Sequence, residues 1–364
     1  MKSTSTQSGS NRRSFLRGTL ATGAAVAGAA VVAEHKLLAS DTTSGKLSPG
    51  DAAVLKFVAA AELIETDLWQ QYAELGGVAT AQKPNPYQLA FQQLDPDGNQ
   101  YISSNTLDEA RHAAFLNAYL ISMGEEPVDL DRFRTLPSSQ ASGAQQIGRL
   151  TNLMQLIVDT SWYTRYRSTS NPDFGATFPQ ALPGLNAGQF TAIPRTNADF
   201  SPKAHIQAIA NTAAFHFAMI EQGGSSLYAT LGRKVSSDEV LRIMMSIGGD
   251  EVAHFLEWMD FAGNAVQPPV APLTDPDNGL TFPNFNATGD PLLQTNLIFP
   301  VQCEFIRPNL PRCAVIRPTA FGQIDALGAA NAFIASGLFI GQPPVFNELL
   351  LSMAQAADAA SPNG

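Results

Sequence analysis

Two stretches decide the reading of this chain: DEARHAAF, Asp108–Phe115, and DEVAHFLE, Asp250–Glu257. Each carries an aspartate, a glutamate and, three residues after the glutamate, a histidine, in a segment with helical spacing of apolar residues. An α-helix turns 100° per residue, so Glu109 and His112 reach toward one point, as do Glu251 and His254. A carboxylate with an imidazole suits iron, manganese or zinc. Each pair alone has too few donors to hold a metal, and either stretch alone reads as an ordinary helix face. Isolated helical glutamates are usually solvated, and a histidine on an apolar face is more often a core residue than a ligand. Repetition weighs against that, and so do the flanking Phe115, Leu116, Val252, Phe255 and Trp258. Such neighbours would carry carboxylates into an apolar interior, where unpaired charge is costly and divalent cations would offset it.

Two further segments supply more carboxylates. ETDLWQQY puts Glu65 seven residues before Tyr72, and EQGGSSLY puts Glu221 seven before Tyr228. Seven residues is almost two helical turns, so each glutamate shares a stripe with its tyrosine. Glu62, one turn before Glu65, competes for the same place and is a candidate extra ligand. The tyrosines read as hydrogen-bond partners of ligands. Gly223-Gly224 is unusual inside a helix, since glycine weakens one, and marks close packing or a local bulge. His205 and His216 fit no ligand spacing and read as structural.

Around these motifs the chain reads as all-α. A helix is predicted from a cap at Ser48 or Asp51 to the stop at Gly76-Gly77, and a second over 104–123, ending at Gly124. A third covers 202–231, stopped by Gly232, and a fourth runs from a cap at Ser236 or Ser237 to about Ala262. The connection 76–103 is loop-like, with proline and glycine. The crossover 125–202 holds one more helical stretch over 142–167. Beyond 265, proline-rich segments alternate with apolar runs such as LGAANAFIASGLFIG and VFNELLLSMAQAADAA, read as short packing helices.

The set Glu65, Glu109/His112, Glu221 and Glu251/His254 is one glutamate from each of two helices and Glu-x-x-His from each of two others. It resembles the ferritin-like di-iron and di-manganese carboxylate proteins. The resemblance implies a four-helix bundle over 48–265, with a long crossover between helices 2 and 3 and an extension of loops and short helices over 266–364 packed on it. Carried over residue by residue, Glu109 and Glu251 would bridge two metals, iron before manganese, each also bound by a histidine and a terminal glutamate. Asp108 and Asp250 match the aspartates beside such ligands, each accepting a proton from the histidine of the opposite motif. Arg111 fits the same DExRH pattern, while the second motif has Ala253 there.

Among relatives of this kind, the chain most resembles exported bacterial ferritin-like proteins of the desiccation-related type. The resemblance implies redox chemistry on dioxygen, peroxide or ferrous iron in protection against oxidative stress, with a small-molecule oxidant or metal ion as partner. The alternative is a non-enzymatic stress or envelope protein on the same scaffold, with structural metal or none. Whether the chain is an enzyme, and whether it forms a homo-oligomer, both stay open. No sulfur-ligand domain accompanies the helices, and the crossover and extension would obstruct a storage cage.

The N-terminus points to export. NRRSFLRGTLATGAAVAGAAVVA sets Arg12-Arg13 before Phe15 and Leu16 and an Ala/Gly/Val run, which resembles a twin-arginine signal over 1–40, cleaved between Ala33 and Ser40. The run is too short for a membrane span, and no cysteine follows it for a lipid anchor. The protein would then be periplasmic or extracellular, with no stable membrane anchor after cleavage. The two cysteines, Cys303 and Cys313, would pair across a short loop or remain buried thiols. The 364 residues carry a net charge of −10, with no basic cluster after the first twenty, which excludes nucleic acid as a natural partner. DPDGNQYISSNT, Asp95–Thr106, has the opening of a calcium loop but lacks the glycine at its sixth place and the carboxylate at its twelfth. A simple turn is favoured there.

Overall fold

The computed structural model describes residues 46–79, 83–168, 178–296, 309 and 325–363. The signal segment and both cysteines lie outside them. The described residues are predominantly helical, with a single two-stranded hairpin among them.

Four long helices organise the rest. The first, α1 (Pro49–Gly76), starts where Ser48 accepts a hydrogen bond from the Asp51 N–H with Pro49 in the first turn, both ordinary N-terminal signals. A short helix, α2 (Pro86–Leu94), leads into α3 (Gly98–Ser122). After the crossover and two five-residue helices, α4 (Ser161–Arg165) and α5 (Pro183–Ala187), come α6 (Lys203–Gly232) and α7 (Asp238–Asn264). Ser237 caps α7 by accepting from Glu239 and Val240 N–H, and Asp238 and Glu239 sit at the positive end of its dipole.

α1 packs along α3, and α6 along α7. α1 and α6 are buried on nearly every face, as expected of helices surrounded by other elements. α3 instead buries a narrow stripe, Ile102, Asn105, Glu109, Ala113, Leu116 and Leu120, at three- and four-residue intervals. Such a stripe belongs to a helix with one face to solvent, and its polar members are therefore directed at the other long helices. An aromatic cluster fills the centre beside them. Trp69 stacks on Trp258 with centroids 5.2 Å apart, and Phe217 lies 4.8 Å from Trp69.

Beyond α7, a hairpin of β1 (Leu273–Thr274) and β2 (Thr281–Phe282) precedes α8 (Ala326–Ala335) and α9 (Pro344–Asp358). α9 lies on α1, and α8 on α9 and α6. Asp358 ties three ends together, accepting from Lys234 Nζ at 2.9 Å and from the N–H groups of Ala326 and Leu327 at the start of α8. Among the described residues no helix is long and apolar enough to cross a membrane.

The structure departs from the sequence reading in three places. The helix expected over 142–167 is only the five residues of α4; most of that stretch is extended or irregular. Its backbone is taken by distant partners: Leu156 N–H by Phe190, Ile157 by Ser336 and Val158 by Leu185, while Asp67 of α1 accepts from Thr151 N–H. Long-range hydrogen bonds here displace the local ladder. The loop expected over 76–103 contains α2, whose Asn85 and Gln88 form a reciprocal capping box around Pro86 at its first position. Finally, α3 begins at Gly98 and not at 104, so only Asp95–Asp97 of the calcium-like stretch form a turn between two helices, and the rest of it, where the sequence favours a simple turn, is the start of α3. Asn99 points inward there, donating to the Gly76 carbonyl at 2.6 Å.

Candidate metal centre

All four long helices deliver acidic side chains to one buried volume. Glu62 and Glu65 come from α1, Glu109 and His112 from α3, Glu221 from α6, and Glu251 and His254 from α7. Two groups form there, Glu62–Glu109–His112–Glu251 and Glu109–Glu221–Glu251–His254. In each, one donor atom per residue lies within 4.8 Å of the others. Glu109 and Glu251 belong to both.

The atoms show how the sharing works. His112 Nδ1 lies 3.4 Å from Glu62 Oε2, 3.4 Å from Glu109 Oε2 and 3.6 Å from Glu251 Oε1. His254 Nδ1 lies 3.1 Å from Glu109 Oε1 and 3.3 Å from Glu221 Oε2. The two oxygens of Glu109 therefore face opposite histidines. Behind the rings, Asp250 Oδ2 is 3.2 Å from His112 Nε2 and Asp108 Oδ2 is 3.7 Å from His254 Nε2, each aspartate standing behind the histidine of the other motif.

Glu62 takes the α1 position in the first group. Glu65, expected there on its spacing from Tyr72, is buried one turn along and belongs to neither group. The reason is cross-helix. Tyr228 donates to Glu62 Oε1 and orients that carboxylate. Tyr72, expected to bond a ligand, instead meets His216, with its hydroxyl 2.8 Å from Nδ1. Burial lowers the His216 imidazole to about 3, so the ring is neutral and Nδ1 can accept from the phenol. Arg111 points to solvent, 3.7 Å from Asp108, because two residues past Glu109 is 200° round the helix. Phe115, expected among the apolar flank, is 52 % exposed, whereas Leu116, Phe255 and Trp258 are buried.

One residue had no place in the sequence reading. Asn105, four before Glu109 and so on the same face, donates to Glu109 Oε1 at 2.7 Å and Glu221 Oε1 at 3.1 Å, and accepts from Trp258 Nε1 at 2.6 Å. It ties carboxylates of two helices to the aromatic core. Gly224 also acquires a specific role. A Cβ there would fall on Glu251 Oε2 and stand 2.9 Å from its Cδ, so only glycine lets α6 pass this close to that carboxylate.

The electrostatics are those of an anionic cluster short of cations. Burial, then Glu221, pushes the Glu109 carboxyl up to about 7 against the pull of His112 and His254. Glu251 and Glu65 are raised well above the usual carboxylate range, by burial first and then by their neighbouring carboxylates. Burial would lower the His112 imidazole, but Glu109 and Glu62 outweigh it and push it up to about 10. His254 is raised too, with Glu221, Asp108 and Glu109 overcoming the effect of burial.

Whether a metal fits can be judged on unpaired atoms. Glu62 Oε2, Glu109 Oε2, His112 Nδ1, Glu221 Oε2, both oxygens of Glu251 and His254 Nδ1 are buried without a hydrogen-bond partner. Folded proteins leave few such atoms, and here they face one another. Two donors about 2.1 Å from one ion, at angles near 90–110°, lie about 3.0–3.4 Å apart. The donor separations of 3.1–3.6 Å are close to that range. These buried Glu and His side chains are compatible with metal, and the mixed oxygen–nitrogen donor set suits first-row metals. No protein-family model, curated protein or solved structure matches the chain. Its own geometry therefore carries the functional reading.

Proposed function

We propose that this is an exported ferritin-like protein whose four long helices hold a carboxylate-bridged pair of iron or manganese ions, used for redox chemistry on dioxygen, peroxide or ferrous iron in protection against oxidative stress. The observation that carries the reading is the set of unpaired buried donors shared by two groups with Glu109 and Glu251 in common. In this assignment Glu109 and Glu251, common to both donor groups, would serve both ions, Glu62 and His112 would help hold one, and Glu221 and His254 the other. Asp250 and Asp108 accept from the outer ring nitrogens and fix which nitrogen faces inward. Asn105 holds Glu109 and Glu221 in register, and Tyr228 does the same for Glu62. When bound, such a metal pair supplies one-electron steps and binds small oxygen species. The residues here would hold such a pair and offset its charge, and their burial would keep bulk water from it. Export rests on the Arg12-Arg13 motif and suits a protein that folds around its cofactor before translocation.

The test is elemental analysis of protein purified from its native compartment, beside a Glu109→Ala/Glu251→Ala variant. About two iron or manganese ions per chain, lost in the variant, would support the reading, and the element would direct the choice between oxidase and catalase assays. No stoichiometric metal in either protein would refute it. One observation favours a metal-free scaffold instead: a histidine held protonated to about 10 by two glutamates can compensate buried carboxylates unaided. The same measurement separates the two.

A further inference from the structure

Glu65 is left over by the metal assignment, and its surroundings suggest a use. It is 3 % exposed, belongs to neither donor group and makes no hydrogen bond or ion pair among the described residues. It forms part of the wall of a cavity of about 210 Å³. The remaining wall is mostly apolar, with Met219, Ile220 and Leu227 from α6, Ile157 from the crossover, and Ala332 and Phe333 from α8. Asp159 also lines it, but its oxygens are engaged by Ser161 Oγ and Gln180 Nε2. Exposure falls from Asn186 and Ala335, both exposed, to Glu65 and Gly224, both buried, so the cavity has a mouth and a floor.

The floor adjoins the acidic cluster. Gly224 lines the cavity and also stands against the Glu251 carboxylate, with no side chain between. We propose that this cavity of about 210 Å³ is a binding site for a neutral small molecule with an apolar body and a single hydroxyl end, the body against α6 and α8 and the hydroxyl on Glu65. A cavity of about 150 Å³ lined by aliphatic and aromatic side chains holds benzene, so this one takes about eight non-hydrogen atoms. An anionic ligand is disfavoured by the carboxylates beneath. The site is placed to present the ligand's polar end to the cluster; a role for the ligand as an organic co-substrate beside the oxidant rests on the metal reading, whereas binding itself does not.

Binding is therefore tested on metal-free protein, by titrating methyl-labelled chain with benzyl alcohol, toluene and benzoate and observing the Met219, Ile220 and Leu227 methyls by NMR. The expected result is saturable one-to-one binding of benzyl alcohol, roughly tenfold or more tighter than toluene as for a hydrogen bond worth about 1.4 kcal/mol, with benzoate excluded. Contacts from the aromatic ring to the Met219 and Leu227 methyls should locate the probe. Ala332→Trp should abolish binding while the metal content of the native-compartment protein stays unchanged, and Glu65→Leu should reduce benzyl alcohol to the affinity of toluene. No saturable binding, contacts elsewhere, or binding that survives in a folded Ala332→Trp chain would overturn the site. Equal affinity for toluene and benzyl alcohol would overturn the role of Glu65. Saturable binding of benzyl alcohol by a chain whose native-compartment protein carries no metal would count against the metal reading alone.

Discussion

Replacing Gly224 by alanine separates what the helix needs from what the cluster needs. In a helix interior, glycine to alanine should stabilise by about 1 kcal/mol. At Gly224 the new methyl meets the end of the Glu251 side chain, Oε2 first and then Cδ at 2.9 Å. In the metal-free chain that carboxylate can turn aside, so overpacking of about 1 kcal/mol cancels the propensity gain and stability barely changes. A turned Glu251 is lost to both donor groups at once. Metal affinity should then fall on the order of 100-fold or more, since even residues that only orient ligands cost 10–100-fold. At a free metal concentration 100 times the wild-type Kd, the wild type gains about 2.7 kcal/mol, and a 100-fold weaker variant about 0.4. For a chain of this size, whose unfolding entropy is about 0.7 kcal/mol/K, those gains raise Tm by roughly 4 °C and about 0.6 °C respectively. Differential scanning calorimetry with and without added ferrous or manganous ion measures both. Gly249→Ala is the internal control: its added Cβ meets nothing within 4 Å, so it should keep the full metal-induced shift. A Gly224→Ala chain with an undiminished shift would refute the placement of Glu251 between the two donor groups.

Further predictions concern the same cluster. Without metal, stability should fall as pH rises from about 5 to 9. Glu109, raised to about 7, contributes stability that is complete below its unfolded value and lost as pH climbs through 7, and His112, raised to about 10, contributes in the same sense from about 6.5 upward. Each tenfold change in proton affinity that persists is worth about 1.4 kcal/mol. The stabilisation added by metal should instead grow with pH, because the ion competes with protons for the same atoms. Thermal melts across this range with and without metal check both signs, and a metal-free Tm rising with pH would contradict the first. Asn105→Ala should lower metal affinity by about 10–100-fold, as for other residues that hold ligands in place. Arg111→Ala should leave it unchanged, because that side chain is 72 % exposed. Competition with a chromophoric chelator measures the two variants together.

What could be foreseen in the sequence, and what could not, follows from the range of each signal. The ends of α1, α6 and α7 were legible because caps and stops are local. Ser48, Gly76, Gly232 and Ser237 act within a turn of themselves. The two Glu-x-x-His motifs were legible because a three-residue spacing fixes a shared face whatever surrounds it. The stretch over 142–160 was not, because its Leu156, Ile157 and Val158 N–H groups are claimed by Phe190, Ser336 and Leu185, remote in sequence. The choice between Glu62 and Glu65 lies between these cases. Both lie on the same side of α1, one turn apart, so periodicity offers either to the cluster. Spacing from Tyr72 favoured Glu65, but that tyrosine serves His216, and it is Tyr228 from α6 that holds Glu62. A tyrosine two turns from a glutamate on one helix thus identifies a shared stripe, while the partner that orients a carboxylate comes from the helix opposite. The pairing that matters crosses between helices. It sets Glu62 among the donors and leaves Glu65, unpaired and buried, facing the cavity.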